Sequence, residues 1–237
     1  MTRAADVLVA LLFPQGCHVC GGAVLRRADG VACSACWEDP RVTPLYNESD
    51  GCERCGAPGT GRCDPCAPGE LSASRSAGAY AGALRASLLD LKQRPKACRR
   101  LADLLAGVRR RAPSLGEADL VVPVPLHPAR LAARGHNQAL VLAEGLACAA
   151  RIELSANALG RVRDTAKRRA GLGRAARAEA VRSAFRAAPR LVAGRRVLVV
   201  DDLFTTGATL AACARALRAA GARDVVALTA ARARLIG

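Results

Sequence analysis

Apolar and polar positions divide the chain into two parts of different texture. From about residue 72 onward, short apolar runs alternate with helical patterns, as expected for a mostly parallel sheet flanked by helices. Three runs predict buried strands, at 120–124, 197–201 and 225–230. Apolar positions at helical spacing predict helices at 84–108 with an interruption at Pro95, at 140–150 and at 210–220. This part of the chain is therefore predicted to be an α/β domain.

Residues 17–69 are rich in cysteine, glycine and proline and lack this periodicity. Such a segment cannot build a hydrophobic core alone. We therefore place a domain boundary near residue 70, with a helix and a cysteine-rich module in 1–70 and the α/β domain in 71–237. The apolar run at 7–13 is much shorter than the about 20 residues of a membrane-spanning helix, and no signal-peptide cleavage pattern follows it. The sequence predicts a soluble, cytoplasmic protein with reduced cysteines.

Eight of the eleven cysteines form four CxxC units. They are Cys17 and Cys20, Cys33 and Cys36, Cys52 and Cys55, and Cys63 and Cys66. Two units complete a tetrahedral shell of four sulfurs with no open position, which is typical of structural zinc. We predict two structural Zn²⁺ ions in a double zinc ribbon, with sequential pairing of the units favoured over interleaved pairing. Redox exchange is disfavoured, because it uses one CxxC at a helix start beside a βαβ unit.

The chain carries 36 Lys and Arg against 20 Asp and Glu, a formal net charge of +16. Residues 1–70 hold 6 of the basic and 9 of the acidic residues, so the positive excess lies in the α/β part. Within that part, residues 161–196 carry 12 basic and 2 acidic residues. This stretch is either a solvated helix and loop or a flap that closes over phosphates. The charge indicates a polyanionic partner or ligand, unless it reflects only an alanine- and arginine-rich surface.

The segment VLVVDDLFTTGAT, residues 197–209, carries the most specific chemistry. Its apolar strand is followed by Asp201 and Asp202 and then by a loop of small and hydroxyl-bearing residues at 205–209. Ligands of open α/β sheets bind at the carboxyl ends of strands, where this segment delivers the acids and the loop. Small residues let the backbone approach a phosphate, and the first N–H groups of the next helix can donate to it. Two carboxylates accept from a vicinal diol, so these groups suit a ribose 5-phosphate.

The same segment resembles the phosphoribosyl pyrophosphate (PRPP) signature of type I phosphoribosyltransferases. The resemblance implies a type I phosphoribosyltransferase-like sheet, in which the paired acids hold the ribose hydroxyls and the loop holds the 5-phosphate. The residues implied to bind PRPP are Asp201, Asp202, Thr205, Thr206, Gly207, Ala208 and Thr209. A nucleoside triphosphate loop is unsupported, because the chain contains neither GxxxxGKS nor GxxxxGKT.

The order of motifs along nearly the whole chain is similar to the ComF family of competence-associated phosphoribosyltransferase-like proteins. The motifs are the cysteine pairs, VVPVPLHPARLAARGHNQAL at 121–140, RVRDT at 161–165 and the PRPP signature. Lys92 matches a lysine that usually follows the first helix. The resemblance implies that pyrophosphate and flap contacts come from Pro123, Arg130, Arg134, Asn137, Gln138, Arg161, Arg163 and Lys167. The chain departs from the family pattern at 167–169 and 180–185, within the flap.

Two functions are consistent with this resemblance. As an enzyme, the protein would use Mg²⁺ with PRPP and transfer the phosphoribosyl group to an acceptor, with Asp201, Asp202 and Arg134 as catalytic residues. As a competence protein, it would bind single-stranded DNA, and PRPP binding would be regulatory or vestigial. The aromatic content of 3% provides few stacking platforms for single strands. A purely structural adaptor is the weakest alternative, since it leaves the PRPP signature unused. The acceptor and the oligomeric state do not follow from the sequence.

Overall fold

The computed structural model describes residues 15–40, 52, 54–57, 71–162 and 184–233. Its strands are β1 (Ala73–Ser76), β2 (Leu120–Pro123), β3 (Glu153–Leu154), β4 (Leu159–Arg161), β5 (Phe185–Ala187), β6 (Arg196–Phe204) and β7 (Asp224–Arg232). Its helices are α1 (Ser34–Trp37), α2 (Gly82–Leu91), α3 (Arg99–Arg111), α4 (Pro128–Arg134), α5 (Gln138–Ala150), α6 (Pro189–Val192) and α7 (Ala208–Ala219). The sequence predictions that fall outside the described residues are the apolar run 7–13, Cys63, Cys66 and the flap residues 163–183, which include Arg163 and Lys167.

Five strands form a parallel sheet in the order β1-β7-β6-β2-β3, while β4 and β5 form a separate antiparallel pair. The two long central strands pair from Arg196 and Asp224 at one end to Phe204 and Arg232 at the other. Most of their residues are buried on both faces, which explains why the sequence shows continuous apolar runs instead of alternation. The predicted fold class, a mostly parallel sheet flanked by helices, is confirmed.

Helices cover both faces of the sheet. On one face α2, α3 and α5 pack against it through leucines such as Leu84, Leu105 and Leu142. On the other face α7 packs through Leu210 and Leu217. Each fully buried leucine stabilises the fold by about 1.5–3 kcal/mol. The α/β part therefore supplies the hydrophobic core that the N-terminal cysteine-rich segment lacks.

The main differences from the sequence prediction concern the length of elements. The strand predicted at 197–201 continues to Phe204, because β7 goes on pairing beside it. Asp201 and Asp202 therefore lie within β6, whereas the apolar pattern places them at and after its end. The interruption predicted at Pro95 is confirmed, since the helical pattern at 84–108 falls on two helices, α2 and α3. Neither β1 nor α4 is indicated by the apolar pattern.

The N-terminal boundary near residue 70 stays a prediction, and the first strand of the sheet begins at Ala73. Among the helices that the structure describes, none combines the length and the apolar character needed to cross a bilayer.

Candidate functional site

Asp201 and Asp202 lie side by side near the carboxyl end of β6, a strand flanked by β2 and β7. The Asp202 backbone N–H donates to Asp201 Oδ1 at 2.9 Å. Withdrawal from water, and next the adjacent charge of Asp202, raise the pKa of Asp201 well above its ordinary value, while the charge of Arg161 opposes this rise. The ionised form of Asp201 is thus disfavoured by the protein around it. Cations and hydroxyl donors are therefore favoured ligands beside this pair.

The loop after β6 enters α7 through Gly207, which has a φ of 74°. A β-carbon at this position would lie 2.9 Å from Phe204 Cζ, so both the backbone angle and the available space require glycine. Thr205 and Thr206 are exposed, and the Ala208 N–H donates to Thr206 Oγ1 at 3.4 Å. The first N–H groups of a helix have no partner within it and favour an anion. The loop therefore has the backbone form and the hydroxyl groups that suit a phosphate.

The segment after β2 runs beside the strand that carries the acids. The Val124 N–H donates to Val200 O at 2.9 Å, which keeps the end of β2 at Pro123 next to β6. Asn137 caps α5 by accepting from the Ala139 N–H at 3.1 Å, and its Nδ2 donates to Val124 O at 3.0 Å. The side-chain amide of Asn137 thus links the start of α5, through Oδ1, to the end of β2, through Nδ2.

Arg130 and Arg134 are the exposed basic residues of this segment, both on α4. Arg134 Nη1 donates to Gln138 Oε1 at 2.7 Å, and Gln138 is buried at the start of α5. Within the described residues, Gln138 Nε2 has no hydrogen-bond partner. Gln138 therefore orients Arg134, and both arginines are exposed to a ligand from solvent.

Two histidines in the same segment make contacts that fix its shape. His127 caps α4, since its Nδ1 accepts from the Ala129 N–H at 3.3 Å. His136 Nε2 lies 2.6 Å from Leu91 O at the end of α2, next to Lys92. The contact of His136 joins elements 45 residues apart in sequence, so no local pattern could indicate it. It brings the segment after β2 to the end of α2, where the lysine predicted from the family pattern lies.

Among the flap residues that the structure describes, Arg161, at the end of β4, has a charge that acts on Asp201. Its guanidinium carbon lies 5.4 Å from the centroid of the Phe185 ring. Its charge lowers the pKa of Asp201, against the larger effects of burial and of Asp202. A basic side chain of the predicted flap is therefore brought to the carboxyl end of β6 from a separate pair of strands.

The first four cysteines form a compact cluster near the N-terminus. The sulfurs of Cys17, Cys20, Cys33 and Cys36 all lie within 4.8 Å of one another. The Cys17–Cys36 and Cys20–Cys33 sulfur distances are 3.8 and 3.7 Å. Ligands on a tetrahedral Zn²⁺ with bonds of about 2.3 Å are separated by about 3.8 Å. The cluster can therefore hold a metal ion, with the ligand set that sequential pairing predicts.

Backbone amides favour a thiolate in this cluster. Burial opposes ionisation of Cys17, but N–H groups of neighbouring residues outweigh it and lower the pKa of this thiol to about 6. Two of these donors are the Cys33 and Val19 N–H groups, at 3.3 and 3.4 Å from Cys17 Sγ. Loss of hydration and then the neighbouring thiols raise the pKa of Cys36. The pKa of Cys17 is thus lowered and that of Cys36 raised within the same cluster.

The second pair of cysteines, Cys52 and Cys55, is buried in a turn that lies against the edge of the sheet. We call Cys52 and residues 54–57 the second cysteine turn. It is closed by hydrogen bonds from the Gly56 N–H to Cys52 O at 2.7 Å and from the Cys52 N–H to Ala57 O at 2.8 Å. The Ser74 N–H of β1 donates to Arg54 O, so the turn covers the edge strand. The partners predicted for this pair lie outside the described residues.

Of the three cysteines outside the CxxC units, Cys213 alone is fully buried. Burial, and then the charge of Asp201, raise the pKa of Cys213 well above its ordinary value, so its thiol stays neutral on α7. Cys98 is half-buried, and burial raises its pKa as well. Cys148 is exposed, because its position on α5 points away from the face formed by residues such as Leu146 and Ala147.

The chain belongs to the phosphoribosyl transferase domain family, whose model matches residues 88–234. Over 128 residues it is 34% identical to Competence protein F of Haemophilus influenzae. This match covers 53% of the chain and 56% of that protein, so the chain spans about half the length of this curated relative. The resemblance to ComF proteins that the motifs predict is confirmed by this relative.

Two solved structures are also similar over 55% of the chain. One is the glutamine PRPP amidotransferase of B. subtilis complexed with ADP and GMP, at 28% identity, a TM-score of 0.39 and 25% coverage of that chain. The other is described as the allosteric regulatory enzyme of purine biosynthesis, at 27% identity, a TM-score of 0.39 and 24% coverage.

Proposed function

We propose that the protein binds PRPP at the carboxyl end of β6 and transfers its phosphoribosyl group to an acceptor. The observation that carries this proposal is the adjacency of the acid pair Asp201 and Asp202 to the loop that enters α7 through Gly207. The family match over residues 88–234 supports it, because that range contains the whole segment. A lone pair of acids or a lone phosphate loop would be consistent with many ligands, whereas the two together support a ribose phosphate.

Acidic residues would bind the ribose, and basic residues would bind the pyrophosphate. Asp201 and Asp202 accept hydrogen bonds from the ribose hydroxyls, and the loop at 205–209 holds the 5-phosphate. During transfer the bond from C1 to pyrophosphate breaks with its electron pair leaving on pyrophosphate, the acceptor forms a bond to C1, and the acceptor's proton passes to solvent. Arg134 and Arg161 stabilise the departing negative charge. Mg²⁺ bound with PRPP would neutralise further charge on the pyrophosphate.

Calorimetric titration with PRPP in the presence of Mg²⁺ tests the site. Wild type should bind, and Asp201→Ala or Asp202→Ala should weaken binding at least about tenfold, or 1.4 kcal/mol. Asp119→Asn is a matched control, because Asp119 lies at the opposite end of the sheet, where its Oδ2 accepts from the Arg196 N–H at 2.7 Å. Absence of binding to wild type, or unchanged binding by both alanine variants, would refute the assignment.

Catalysis is separated from binding by a second assay. Pyrophosphate release from PRPP is measured against a panel of bases, amines and single-stranded DNA. Acceptor-dependent release that is lost in Asp202→Ala supports a transferase. Tight PRPP binding without release for any acceptor supports a role in which PRPP regulates the protein.

Single-stranded DNA binding is the second candidate function, favoured by the basic charge of the α/β part and by the name of the similar Haemophilus influenzae protein. A cleft of about 270 Å³ between Trp37 and α3 is lined by three basic residues, Arg100, Arg110 and Arg111, and by one acidic residue, Asp103. Fluorescence titration with labelled single strands at increasing salt measures the number of phosphates neutralised. Arg110→Ala with Arg111→Ala should reduce the salt dependence, and no affinity at low salt would exclude this function.

We further propose that the cysteines hold two structural Zn²⁺ ions and that the protein works in the cytoplasm, where thiols stay reduced. The compact cluster of Cys17, Cys20, Cys33 and Cys36 supports the first ion. Elemental analysis of the purified chain should give two zinc ions per molecule, falling to one in Cys33→Ser and unchanged in Cys148→Ser. A zinc content of one ion per wild-type molecule would contradict the second site and leave only the cluster of Cys17, Cys20, Cys33 and Cys36.

A further inference from the structure

Arg232, the last residue of β7, is a buried arginine close to the phosphate loop. Only 8% of it is exposed. Within the described residues it forms no ion pair, and its Nε has no hydrogen-bond partner. Placing a guanidinium in such surroundings costs several kcal/mol unless it is well bound. Its contacts therefore indicate what this cation does.

On one side Arg232 holds the second cysteine turn. Its Nη2 donates to Cys55 O at 2.7 Å, in a buried hydrogen bond that joins residues 177 apart in sequence. The backbone of Arg232 is fixed as well, since its N–H donates to Gly78 O at 2.8 Å and its carbonyl accepts from the Tyr80 N–H at 2.8 Å. The guanidinium is therefore directed toward the turn by a rigid strand end.

On the other side Arg232 lies on Phe204, its register partner at the end of β6. The guanidinium carbon is 4.0 Å from the centroid of the ring, a close cation–π contact. The far edge of the ring reaches Gly207, where a β-carbon would lie 2.9 Å from Cζ. The ring thus packs directly under the residue that turns the chain into α7.

These contacts form a continuous path from Cys55 through Arg232 and Phe204 to Gly207. We propose that Arg232 is a positioning residue that couples the second cysteine turn to the phosphate loop, so that order in the turn and PRPP binding strengthen one another. The inference deepens the proposed function and rests on it, since it names a residue that holds the loop and touches no ligand. Coupling of this kind is reciprocal: whatever the turn does to PRPP affinity, PRPP does to the turn.

Hydrogen exchange of the full chain tests the path without requiring ligand. In Arg232→Met, which keeps the bulk and removes the charge, amides at 204–211 should exchange at least about tenfold faster than in wild type. Arg75→Met is the matched control, because Arg75 is also buried and donates to Arg54 O of the same turn, but lies on β1, one strand further from the loop. It should change exchange at 204–211 less than twofold.

PRPP affinity provides the second measurement. Arg232→Met should weaken PRPP binding about tenfold. Arg232→Lys keeps the charge without the planar stacking surface, so its PRPP affinity should lie between those of Arg232→Met and wild type. PRPP should slow exchange of the Cys52 and Gly56 amides in wild type and not in Arg232→Met. A role in general stability alone would lower the melting temperature of the Arg232 and Arg75 variants alike, without this difference at the loop.

Equal effects of Arg232→Met and Arg75→Met on the loop, or an unchanged loop in Arg232→Met, would overturn the coupling. Should Arg232→Met not fold, Phe204→Leu breaks the same path by removing the ring face and must accelerate exchange at 204–211 for the inference to stand. If wild type binds no PRPP, the proposed function fails, whereas the comparison of exchange rates still decides whether Arg232 positions the loop.

Discussion

Gly207 begins α7 with a φ of 74°, and a β-carbon there would lie 2.9 Å from Phe204 Cζ and 3.3 Å from Cε2. Gly207→Ala therefore adds two separate costs. A left-handed backbone disfavours a residue with a side chain by about 1–2 kcal/mol, and forcing a methyl group against a packed ring costs typically about 1–3 kcal/mol. The sum is about 2–5 kcal/mol, imposed on the loop proposed to hold the 5-phosphate.

This cost can appear in two measurements. If the loop keeps its form, the free energy of unfolding falls, and each kcal/mol lowers the melting temperature by about 2–4 °C for a chain of 150–250 residues. If the loop shifts to relieve the strain, stability is retained and PRPP affinity falls, with 2 kcal/mol corresponding to about thirtyfold. Thermal denaturation and calorimetric titration on the same sample should together account for the full cost.

Gly194→Ala isolates the backbone part of the effect. Gly194 has a φ of 72°, and a β-carbon added there would meet no atom within 4 Å, so its substitution should cost only about 1–2 kcal/mol and leave PRPP binding unchanged. Adding Phe204→Leu to Gly207→Ala should recover the steric part. If Gly207→Ala binds PRPP like wild type and is no less stable than Gly194→Ala, the loop does not have the geometry described and the reasoning fails.

Four further predictions rest on measurements of stability. Asp201→Asn should raise the melting temperature at pH 7. Folding raises the pKa of Asp201, so its negative charge destabilises the folded protein at pH values above the ordinary aspartate pKa. Asp119→Asn should lower the melting temperature, because hydrogen bonding from the Arg196 N–H lowers the pKa of Asp119. Burial opposes ionisation of Asp224, but Ser72 and nearby arginines outweigh burial and lower the pKa of this carboxyl. The ionised carboxylate therefore stabilises the folded protein above about pH 4, and this stabilisation is lost as the pH falls further. Asp224→Asn should flatten the decline in unfolding free energy below about pH 4. Chelation of metal should destabilise wild type, as followed by thermal denaturation, and the loss should be smaller in Cys17→Ser, which already lacks one ligand of the first cluster.

The central part of the fold could be predicted because its signals are local. Residues 197–209 contain a strand, the acids, the loop and a helix start in one continuous segment, so the chain order alone places them together. β1 has no such signal, since three of its four residues are polar. Their burial is stabilised by distant partners, such as the 2.7 Å hydrogen bond between the hydroxyls of Ser76 and Thr229, 153 residues apart. No pattern within β1 itself indicates these partners.

In the candidate site too, roles that depend on neighbouring residues could be predicted from the sequence, and contacts between distant residues could not. Asn137 fits the family pattern of a ligand contact, yet it stands directly before α5, where an asparagine commonly caps a helix, and it caps this one. That role could be predicted from position. The approach of Arg161 to Asp201 could not, because it depends on how the β4–β5 pair lies against the main sheet.

The ionised carboxylate of Asp201 destabilises the folded protein, which indicates that the acid pair serves a ligand and not the fold. The carboxyl lies where burial and a neighbouring acid both disfavour its charge, and an asparagine would fit the same space without that penalty. Proteins tolerate such strain at sites where a ligand relieves it. A magnesium-bound ribose, which brings hydroxyl donors and positive charge, relieves both causes at once. Single-stranded DNA in the cleft lined by Arg100, Arg110 and Arg111 provides no such relief, because Asp201 does not line that cleft. The pH-dependent stability of wild type and Asp201→Asn, measured with and without PRPP, therefore tests whether PRPP relieves this cost. Pyrophosphate release then decides between transfer and a regulatory role of PRPP.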